Sequence, residues 1–348
     1  MSIFPSWTIE FGMQASCSLP RRPGRCERPL RSRARSAAQK ARSQPATGIG
    51  STTVAARIFD YPHRRASTGE GMLMGLIVGP RLSVAGGVEI TGIDLAEPLP
   101  PEPKRQILRA FRDYHVVVFP GQALTREQQY DFARNFGEIE PSGQPGSKRH
   151  AVAHVISNLD KDGNPVDRSS SPVSNYRWHT DKSWHPIPPL LTMLYAVELP
   201  PEGGDTEYAN TVMAYATLPE VTKWRIAGLR VVFRWGASGG ESVMAIRQDP
   251  PVNHPLVRTH PDTGNKALYL GNHASHIRGM PEAEGTALLD ELLEHATQRQ
   301  FVYAHRWRKG DLVMWDNRCL LHRAVANYDM GKYRRIMHRS VVRGMAPF

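Results

Sequence analysis

The segment Trp178-His179-Thr180-Asp181 places an imidazole and a carboxylate two residues apart. One strand edge, or its exit, could aim both side chains at a single point. Such a pair supplies two ligands of a 2-His-1-carboxylate site, in which Fe(II) keeps three positions open for a cosubstrate and dioxygen. Because the triplet also occurs by chance in solvated turns, this interpretation needs a distant histidine as the third ligand.

The best candidate for that third ligand is His322. It ends an apolar, tryptophan-containing segment from Gly310 to Leu321, so its ring is predicted to emerge from a rigid strand into the mouth of a barrel. We therefore predict that His179, Asp181 and His322 bind one metal ion. The remaining histidines of the domain lie in loop-like settings or follow an arginine cluster, and are predicted to be surface or supporting side chains: His185, His254, His260, His273, His276 and His338.

The basic charge of the chain is concentrated at its beginning. Residues 1–70 contain twelve basic and four acidic residues, which account for +8 of the net charge of +11. This Arg-, Ser- and Pro-rich stretch lacks apolar periodicity, so residues 1–72 are predicted to be a disordered tail and residues 73–348 the folded domain. The tail fits a transit-like presequence, a nucleic-acid arm or sequence upstream of a misplaced start; Met72 and Met74 favour the last.

Composition also restricts the cellular setting and the partners of the domain. Two cysteines are in the tail and only Cys319 is in the domain, so a disulfide framework is excluded and a reducing cytoplasm is expected. No apolar run approaches the ~20 residues of a membrane span. The remaining chain carries only +3, so charge says little about the domain; no nucleic-acid or membrane partner is expected, and a homo-oligomer is possible.

Short strands joined by turns and accompanied by a few helices are predicted from Leu82 onward. This pattern predicts a mainly β fold with flanking helices, a β-sandwich or jelly roll, and no alternating βαβ units. Residues 138–175 are predicted to be rich in loops, and Thr125 with Gln128 to form a capping box. Helices are predicted at 103–114, after Thr125 and at 281–297, and strands at 116–119, 190–199, 229–235, 267–270, 301–307 and 311–315.

Five ordered motifs resemble those of the Fe(II)/2-oxoglutarate-dependent taurine and 2,4-dichlorophenoxyacetate dioxygenases. The resemblance runs roughly from Leu76 to Gly344 and implies a double-stranded β-helix core, that is, a cupin-like jelly roll. It also implies hydroxylation by dioxygen while 2-oxoglutarate is converted to succinate and carbon dioxide. The motifs are Trp178-His179-Thr180-Asp181, Gly203-Gly204-Asp205-Thr206, Trp315-Asp316-Asn317-Arg318, His322-Arg323-Ala324 and Arg334-Arg335-Ile336-Met337-His338-Arg339.

The resemblance assigns roles to individual residues. His179, Asp181 and His322 fall on the iron ligands of that family, and Thr206 and Arg335 on the residues that hold the far carboxylate of 2-oxoglutarate. The chemistry of arginine supports the role of Arg335, because a planar guanidinium can bind a carboxylate through two hydrogen bonds.

The resemblance also implies that the primary substrate is a small organic anion. Arg339 falls on the anion-binding position of the family and Asn175 on a substrate-shell amide. If both arginines are on one strand, their spacing of four keeps them on the same side, ~13 Å apart. Ser174, Pro141 and Ser142 depart from the taurine dioxygenase pattern, whereas 271–276 and 295–307 look closer to the phenoxyacetate branch. An aryloxyalkanoate-like carboxylate is therefore favoured, with a sulfonate or sulfate ester as the alternatives and Trp184 as a candidate aromatic wall.

Two other functions remain open from the residues. The same triad could hold zinc with a bound water, as in a metal hydrolase, but this leaves Arg335 without a role. A non-enzymatic cupin-like binding module would leave the whole ordered motif set unexplained.

Overall fold

The chain folds into β-strands arranged in several sheets, with helices packed on the outside. The computed structural model describes residues 75–140, 153–167, 169, 175–239 and 249–348, so the predicted tail of residues 1–72 lies outside the described residues. The strands are β1 Ile77–Ser83, β2 Gly86–Thr91, β3 Val116–Phe119, β4 His154–Ser157, β5 Pro189–Glu198, β6 Thr206–Asn210, β7 Arg230–Phe233, β8 Val252–Pro255, β9 Val257–Thr259, β10 Lys266–Leu268, β11 Ala274–Ile277, β12 Val302–His305, β13 Leu312–Asp316, β14 Leu320–Ala324 and β15 Ile336–Arg343. The helices are α1 Pro101–Tyr114, α2 Arg126–Arg134, α3 Thr211–Thr217, α4 Glu220–Ile226 and α5 Glu282–Ala296.

Two sheets enclose the central core. The large sheet has the order β1-β2-β3-β13-β5-β15-β4, and a smaller sheet has the order β12-β6-β14. Because side chains alternate along a strand, Val116 and Val118 of β3 face the small sheet and pack near Tyr208, whereas Val117 and Phe119 face the helices. This arrangement is the predicted jelly-roll core.

Helices cover the large sheet on its other face. Helix α1 carries Ile107 and Phe111 and α2 carries Phe132 into one cluster with Phe119. The capping box predicted at Thr125 is confirmed, since its side chain accepts from the backbone of Gln128 and the Gln128 side chain accepts from the backbone of Thr125. These contacts bury the apolar side chains whose periodic spacing predicts both helices.

Strands β7–β11 form two further small sheets, with the orders β10-β9 and β11-β7-β8. They pack with α3 and α5 into a third apolar cluster, to which α5 contributes Leu288, Leu289 and Leu292. Within the described residues, no helix is long and apolar enough to cross a membrane.

Most predicted elements are present, with two corrections. The apolar segment 310–321 is two strands separated by a turn, so His322 lies in the middle of β14 and does not end a single strand. The region 138–175 is also less irregular than predicted, because β4 in its described part pairs with β15. In both places the strand is short and its pairing partner is distant in sequence.

Candidate metal and cosubstrate site

A backbone bridge brings two of the predicted metal ligands together. The His179 amide donates to the His322 carbonyl at 3.0 Å, and the His322 amide donates to the His179 carbonyl at 2.8 Å. Gly271 packs against this bridge with φ +121°, and a Cβ there would stand 3.2 Å from the His179 Cα. The close approach therefore requires glycine, which fixes the segment before Asp181 onto β14.

The three predicted ligands converge. Donor atoms of His179, Asp181 and His322 all lie within 4.8 Å of one another, and the three side chains are buried. The Nδ1 of His179 is 2.8 Å from the carbonyl oxygen of Arg177. A proton on Nδ1 satisfies that contact and leaves Nε2 as the lone pair for a metal, the usual arrangement for a histidine ligand.

A chain of hydrogen bonds orients the carboxylate of Asp181. The Trp315 indole donates to Asn317 Oδ1 at 3.2 Å, Asn317 Nδ2 donates to Thr192 Oγ1 at 2.9 Å, and Thr192 Oγ1 donates to Asp181 Oδ2 at 2.6 Å. The chain runs in one direction because the indole can only donate. The last hydrogen bond therefore always points at the carboxylate and fixes its plane.

The electrostatics keep these groups in metal-binding protonation states. Burial lowers the pKa of His322 to about 3 and also lowers the pKa of His179, so both imidazoles are neutral near pH 7. Burial raises the pKa of Asp181, but nearby His322 and Arg339 outweigh it and hold the pKa at about 2. Two neutral imidazoles and one carboxylate are the donor set that a divalent metal requires.

The predicted cosubstrate residues lie at one end of β6. The Arg335 Nε donates to the Gly204 carbonyl at 3.1 Å, and a Cβ on Gly204 would stand 3.3 Å from that nitrogen. Thr206 Oγ1 accepts from the Trp307 indole at 3.0 Å, so its own proton is available to a ligand. Trp307 connects the two groups, since the Arg335 guanidinium lies over its ring at 6.0 Å.

The guanidinium of Arg335 forms no ion pair with a carboxylate in the part of the chain that is described. Tyr328, Tyr176, Tyr208 and, more weakly, the Asp205 carboxylate lie near enough to interact with it electrostatically. Arg335 precedes β15 by one residue, which corrects the expectation that both arginines lie within one strand. A half-buried cation surrounded by hydroxyls is suited to an external carboxylate.

Arg339 lies beside the predicted metal ligands, and Asn175 lies at the edge of the site. Arg339 Nη1 is 3.9 Å from Asp181 Oδ1, and its buried Nε has no hydrogen-bond partner among the described residues. The carbonyl of Asn175 accepts from the Ala324 amide at 2.8 Å, while its side chain is exposed. The structure thus brings Arg339 to the triad and leaves Asn175 at the surface.

One of the histidines predicted to be surface or supporting side chains, His273, lies next to the triad. The buried ring of His273 has its centroid 6.4 Å from that of His179 and 4.3 Å from that of Trp184. His254 and His260 are buried as well. Of the two predicted positions, surface or supporting, only the supporting one therefore applies to them. The Gly271-Asn272-His273 sequence was the available signal, since a glycine needed for close approach precedes the ring.

A second group of possible ligands lies elsewhere in the core. Donor atoms of His115, His260, Asp316 and Cys319 are also within 4.8 Å of one another. Asp316 already accepts two side-chain hydrogen bonds from Arg318, at 2.9 and 2.8 Å, and its Oδ2 lies 3.0 Å from His260 Nε2. Burial raises the pKa of Asp316, but Arg318 and His260 hold it well below its usual range. Since Asp316 is already paired with Arg318 and His260, we interpret this group as a structural network, in which His115 Nδ1 has no hydrogen-bond partner among the described residues.

Comparison with known proteins agrees with the geometry of the first group. The model of the family "Taurine catabolism dioxygenase TauD, TfdA family" matches residues 81–341. The chain belongs to this TauD/TfdA family. It is 44% identical over 267 residues to the alpha-ketoglutarate-dependent 2,4-dichlorophenoxyacetate dioxygenase of Cupriavidus pinatubonensis, covering 72% of this chain and 92% of that protein.

Two further comparisons extend the match. The chain is 34% identical over 281 residues to the (S)-phenoxypropionate/alpha-ketoglutarate-dioxygenase of Sphingobium herbicidovorans, covering 76% of this chain and 93% of that protein. The crystal structure of AAD-2 in complex with Mn(II) and N-oxalylglycine superposes with a TM-score of 0.70 at 38% identity, covering 79% of this chain and 98% of that one.

Membership in the TauD/TfdA family confirms the dioxygenase prediction over the zinc hydrolase and the binding module. The chain is a 2-oxoglutarate-dependent dioxygenase that uses Fe(II), 2-oxoglutarate and dioxygen. The described residues fit these groups. The converging neutral imidazoles and carboxylate suit Fe(II), and Arg335, which forms no ion pair among the described residues, suits the cosubstrate.

Proposed function

We propose that this enzyme hydroxylates a small organic monoanion and that its predicted site residues have separate roles. His179, Asp181 and His322 hold Fe(II), Thr206 and Arg335 hold the distal carboxylate of 2-oxoglutarate, and Arg339 holds the substrate anion. The position of Arg339 carries the substrate part of the proposal. It is a cation within 3.9 Å of an iron-ligand carboxylate, with a buried donor available for another group.

The balance of charge in the site favours a single negative charge on the substrate. Fe(II), the Asp181 carboxylate, the 2-oxoglutarate dianion and the two arginines together leave one positive charge. Since unbalanced charge in a partly buried site is costly, a monoanion is the best fit. This argument applies equally to a carboxylate, a sulfonate and a sulfate ester.

The aromatic side chains beside the site and the similar proteins favour a carboxylate attached to an aromatic ether. Trp184 and His273 form an aromatic pair beside His179, where an aryl ring can stack. The two relatives described above are named for phenoxy carboxylates. We therefore favour an aryloxyalkanoate, with Asn175 contributing an amide from the rim and sulfonates or sulfate esters as weaker substrates.

The residues of this chain supply binding, orientation and charge. Bound Fe(II) and 2-oxoglutarate supply the oxidation of the substrate by dioxygen, with succinate and carbon dioxide as the products of the cosubstrate. Arg339 pulls the anion towards the metal, and the hydrogen-bond chain ending at Thr192 keeps the Asp181 carboxylate fixed while ligands exchange. A hydroxyl placed on the carbon that bears the ether oxygen gives a hemiacetal, which collapses to a phenol and a carbonyl compound as the C–O bond breaks.

The proposal also covers the partners and the cellular location of the enzyme. A small anionic substrate requires no nucleic-acid or membrane partner, and the buried free thiol of Cys319 is compatible with a reducing cytoplasm. A homo-oligomer stays a prediction.

The test is succinate formation with a panel of anions: phenoxyacetate, an alkyl sulfonate and an alkyl sulfate. We expect the highest kcat/KM with phenoxyacetate. Arg339→Ala should lower it about 30-fold or more, as expected for loss of about 2–5 kcal/mol from a charge-assisted pair. Arg343→Ala is the matched control, because Arg343 is four residues further along β15 and forms only an exposed 3.5 Å pair with Glu138.

Two results would contradict the substrate proposal. One is a preference for the sulfonate or the sulfate, which would remove the carboxylate part. The other is an equal loss in Arg339→Ala and Arg343→Ala, which would show that general surface charge and not a specific contact attracts the anion.

A further inference from the structure

One buried hydroxyl in the core of the site lacks a partner. Tyr208 is 1% exposed, and its hydroxyl has no hydrogen-bond partner among the described residues. A buried hydroxyl without a partner costs free energy, so its persistence needs an explanation. The obvious explanation is a ligand that accepts from it.

The strand that carries Tyr208 leads from the cosubstrate residues to the metal ligands. Thr206 and Tyr208 are two apart on β6, so both side chains point into the jelly roll. Tyr208 is the direct pairing partner of His322 on β14, and the two rings stack at 6.3 Å with an interplanar angle of 24°. The tyrosine therefore lies at the level of the predicted metal ligand His322, two residues along the same strand from Thr206.

The charges around Tyr208 mark the same position. Arg335 and Asp181 both lie near enough to interact electrostatically with its phenol, as does Tyr303. A tyrosine hydroxyl is protonated near neutral pH, so towards an anion it can only donate. It is thus a neutral donor near both the predicted cosubstrate residues and the predicted metal ligands.

We infer that the Tyr208 hydroxyl donates a hydrogen bond to an oxygen of 2-oxoglutarate, as a third protein donor beside Arg335 and Thr206. This inference rests on the cosubstrate site proposed above. It makes Tyr208 a cosubstrate-binding residue, and it explains why a hydroxyl is retained where phenylalanine would fill the same space.

The inference predicts opposite effects on the free and the ligand-bound protein. Tyr208→Phe removes only the unpaired hydroxyl, so the thermal midpoint of the ligand-free protein should stay equal or rise. Binding of 2-oxoglutarate should weaken about tenfold to a hundredfold, as expected for the loss of a hydrogen bond to a charged acceptor. A purely structural role would give the reverse pattern.

Tyr303→Phe provides the matched control. Tyr303 stacks on Tyr208 from the neighbouring strand at 6.1 Å, but its hydroxyl is satisfied at 3.0 Å from His305 Nδ1. We expect this variant to lose stability and to keep its affinity for the cosubstrate within about twofold of the wild type.

The experiment is a calorimetric titration of the Mn(II)-loaded full chain with the unreactive analogue N-oxalylglycine, for the wild type, Tyr208→Phe, Tyr303→Phe and Arg335→Ala. The expected result is weaker binding in Tyr208→Phe and in Arg335→Ala, with Mn(II) affinity unchanged in Tyr208→Phe. Unchanged analogue affinity in Tyr208→Phe alone would overturn the inference and leave the cosubstrate site standing. Unchanged affinity in Arg335→Ala would refute the cosubstrate site itself.

Discussion

Replacing Thr192 with valine tests whether a supporting hydrogen bond sets the metal affinity. The substitution nearly conserves volume and removes the hydroxyl that donates to Asp181 at 2.6 Å and accepts from Asn317 at 2.9 Å. Because supporting partners of metal ligands typically change affinity about 10–100-fold, we expect Thr192→Val to bind Mn(II) that much more weakly. Thr192→Ser keeps the hydroxyl and should restore most of the affinity.

The same substitution should also lower stability. Without the Thr192 hydroxyl, the buried amide of Asn317 has no acceptor, which costs about 1–3 kcal/mol in the free energy of unfolding. Thr211→Val is the matched control, since the Thr211 hydroxyl is also buried and donates to the Cys319 carbonyl at 2.9 Å, as part of another hydrogen-bond group.

The assay is Mn(II) binding followed by electron paramagnetic resonance, with urea unfolding measured on the same samples. Thr211→Val should lose stability and keep its Mn(II) affinity, whereas Thr192→Val should lose both. The reasoning is refuted if Thr192→Val binds Mn(II) within about twofold of the wild type, or if Thr211→Val loses as much affinity. Trp315→Phe removes the indole donor at the far end of the hydrogen-bond chain, together with core volume, and should lower Mn(II) affinity less than Thr192→Val does.

Three further predictions follow from the site and the chain. Arg335→Ala should raise the KM for 2-oxoglutarate steeply, whereas Arg339→Ala should chiefly weaken binding of the primary substrate. Titrating both ligands against both variants checks this. An equal loss of 2-oxoglutarate binding in the two variants would show that the roles are not divided. Burial lowers the pKa of His115 to about 4, below the ordinary value of 6.5. Between these two pH values the unfolded state therefore binds more protons than the folded state. The free energy of unfolding should be highest above pH 6.5 and should fall towards pH 4, by up to about 1.4 kcal/mol per pH unit. Urea unfolding of the metal-free protein checks the sign, and His115→Gln should flatten the dependence. A chain that begins at Met72 should fold and turn over like the full chain, and loss of activity on shortening would show that residues 1–71 contribute to the domain.

The parts of the site that depend on local sequence were predictable. His179 and Asp181 are two residues apart, and one short segment places both side chains. His322 was identified from its apolar neighbours, although it lies within β14 because the turn before that strand interrupts the apolar segment. The structure therefore brings the three predicted ligands together, although the strand that carries His322 differs from the predicted one.

The parts that depend on pairing between distant strands were not predictable. Thr192 reaches Asp181 because β5 lies beside β13 with Thr192 opposite Trp315, which brings Asn317 next to the threonine. Nothing in the sequence around Thr192 distinguishes it from another polar residue in a core strand. The same holds for Tyr208, whose importance follows from its pairing with His322 across two strands more than 100 residues apart.

The spacing of the two arginines was predicted only in part. Arg339 lies on β15 beside the metal ligands, as the strand assignment requires. Arg335 lies just before the strand, and the pairing of β15 with β5 shifts register between Ile336 and Met337. A bulge of this kind depends on the partner strand, so a regular spacing of 3.3 Å per residue cannot give the distance between the two guanidinium groups.

The central claim, that the triad and Arg335 hold Fe(II) and 2-oxoglutarate together, is tested most directly by visible absorption of the oxygen-free protein. Adding Fe(II) and 2-oxoglutarate together should produce a weak charge-transfer band that neither produces alone. In Asp181→Ala the band should be lost at the same Fe(II) concentration. Absence of the band in the wild type, or an equally strong band in Asp181→Ala, would contradict the account.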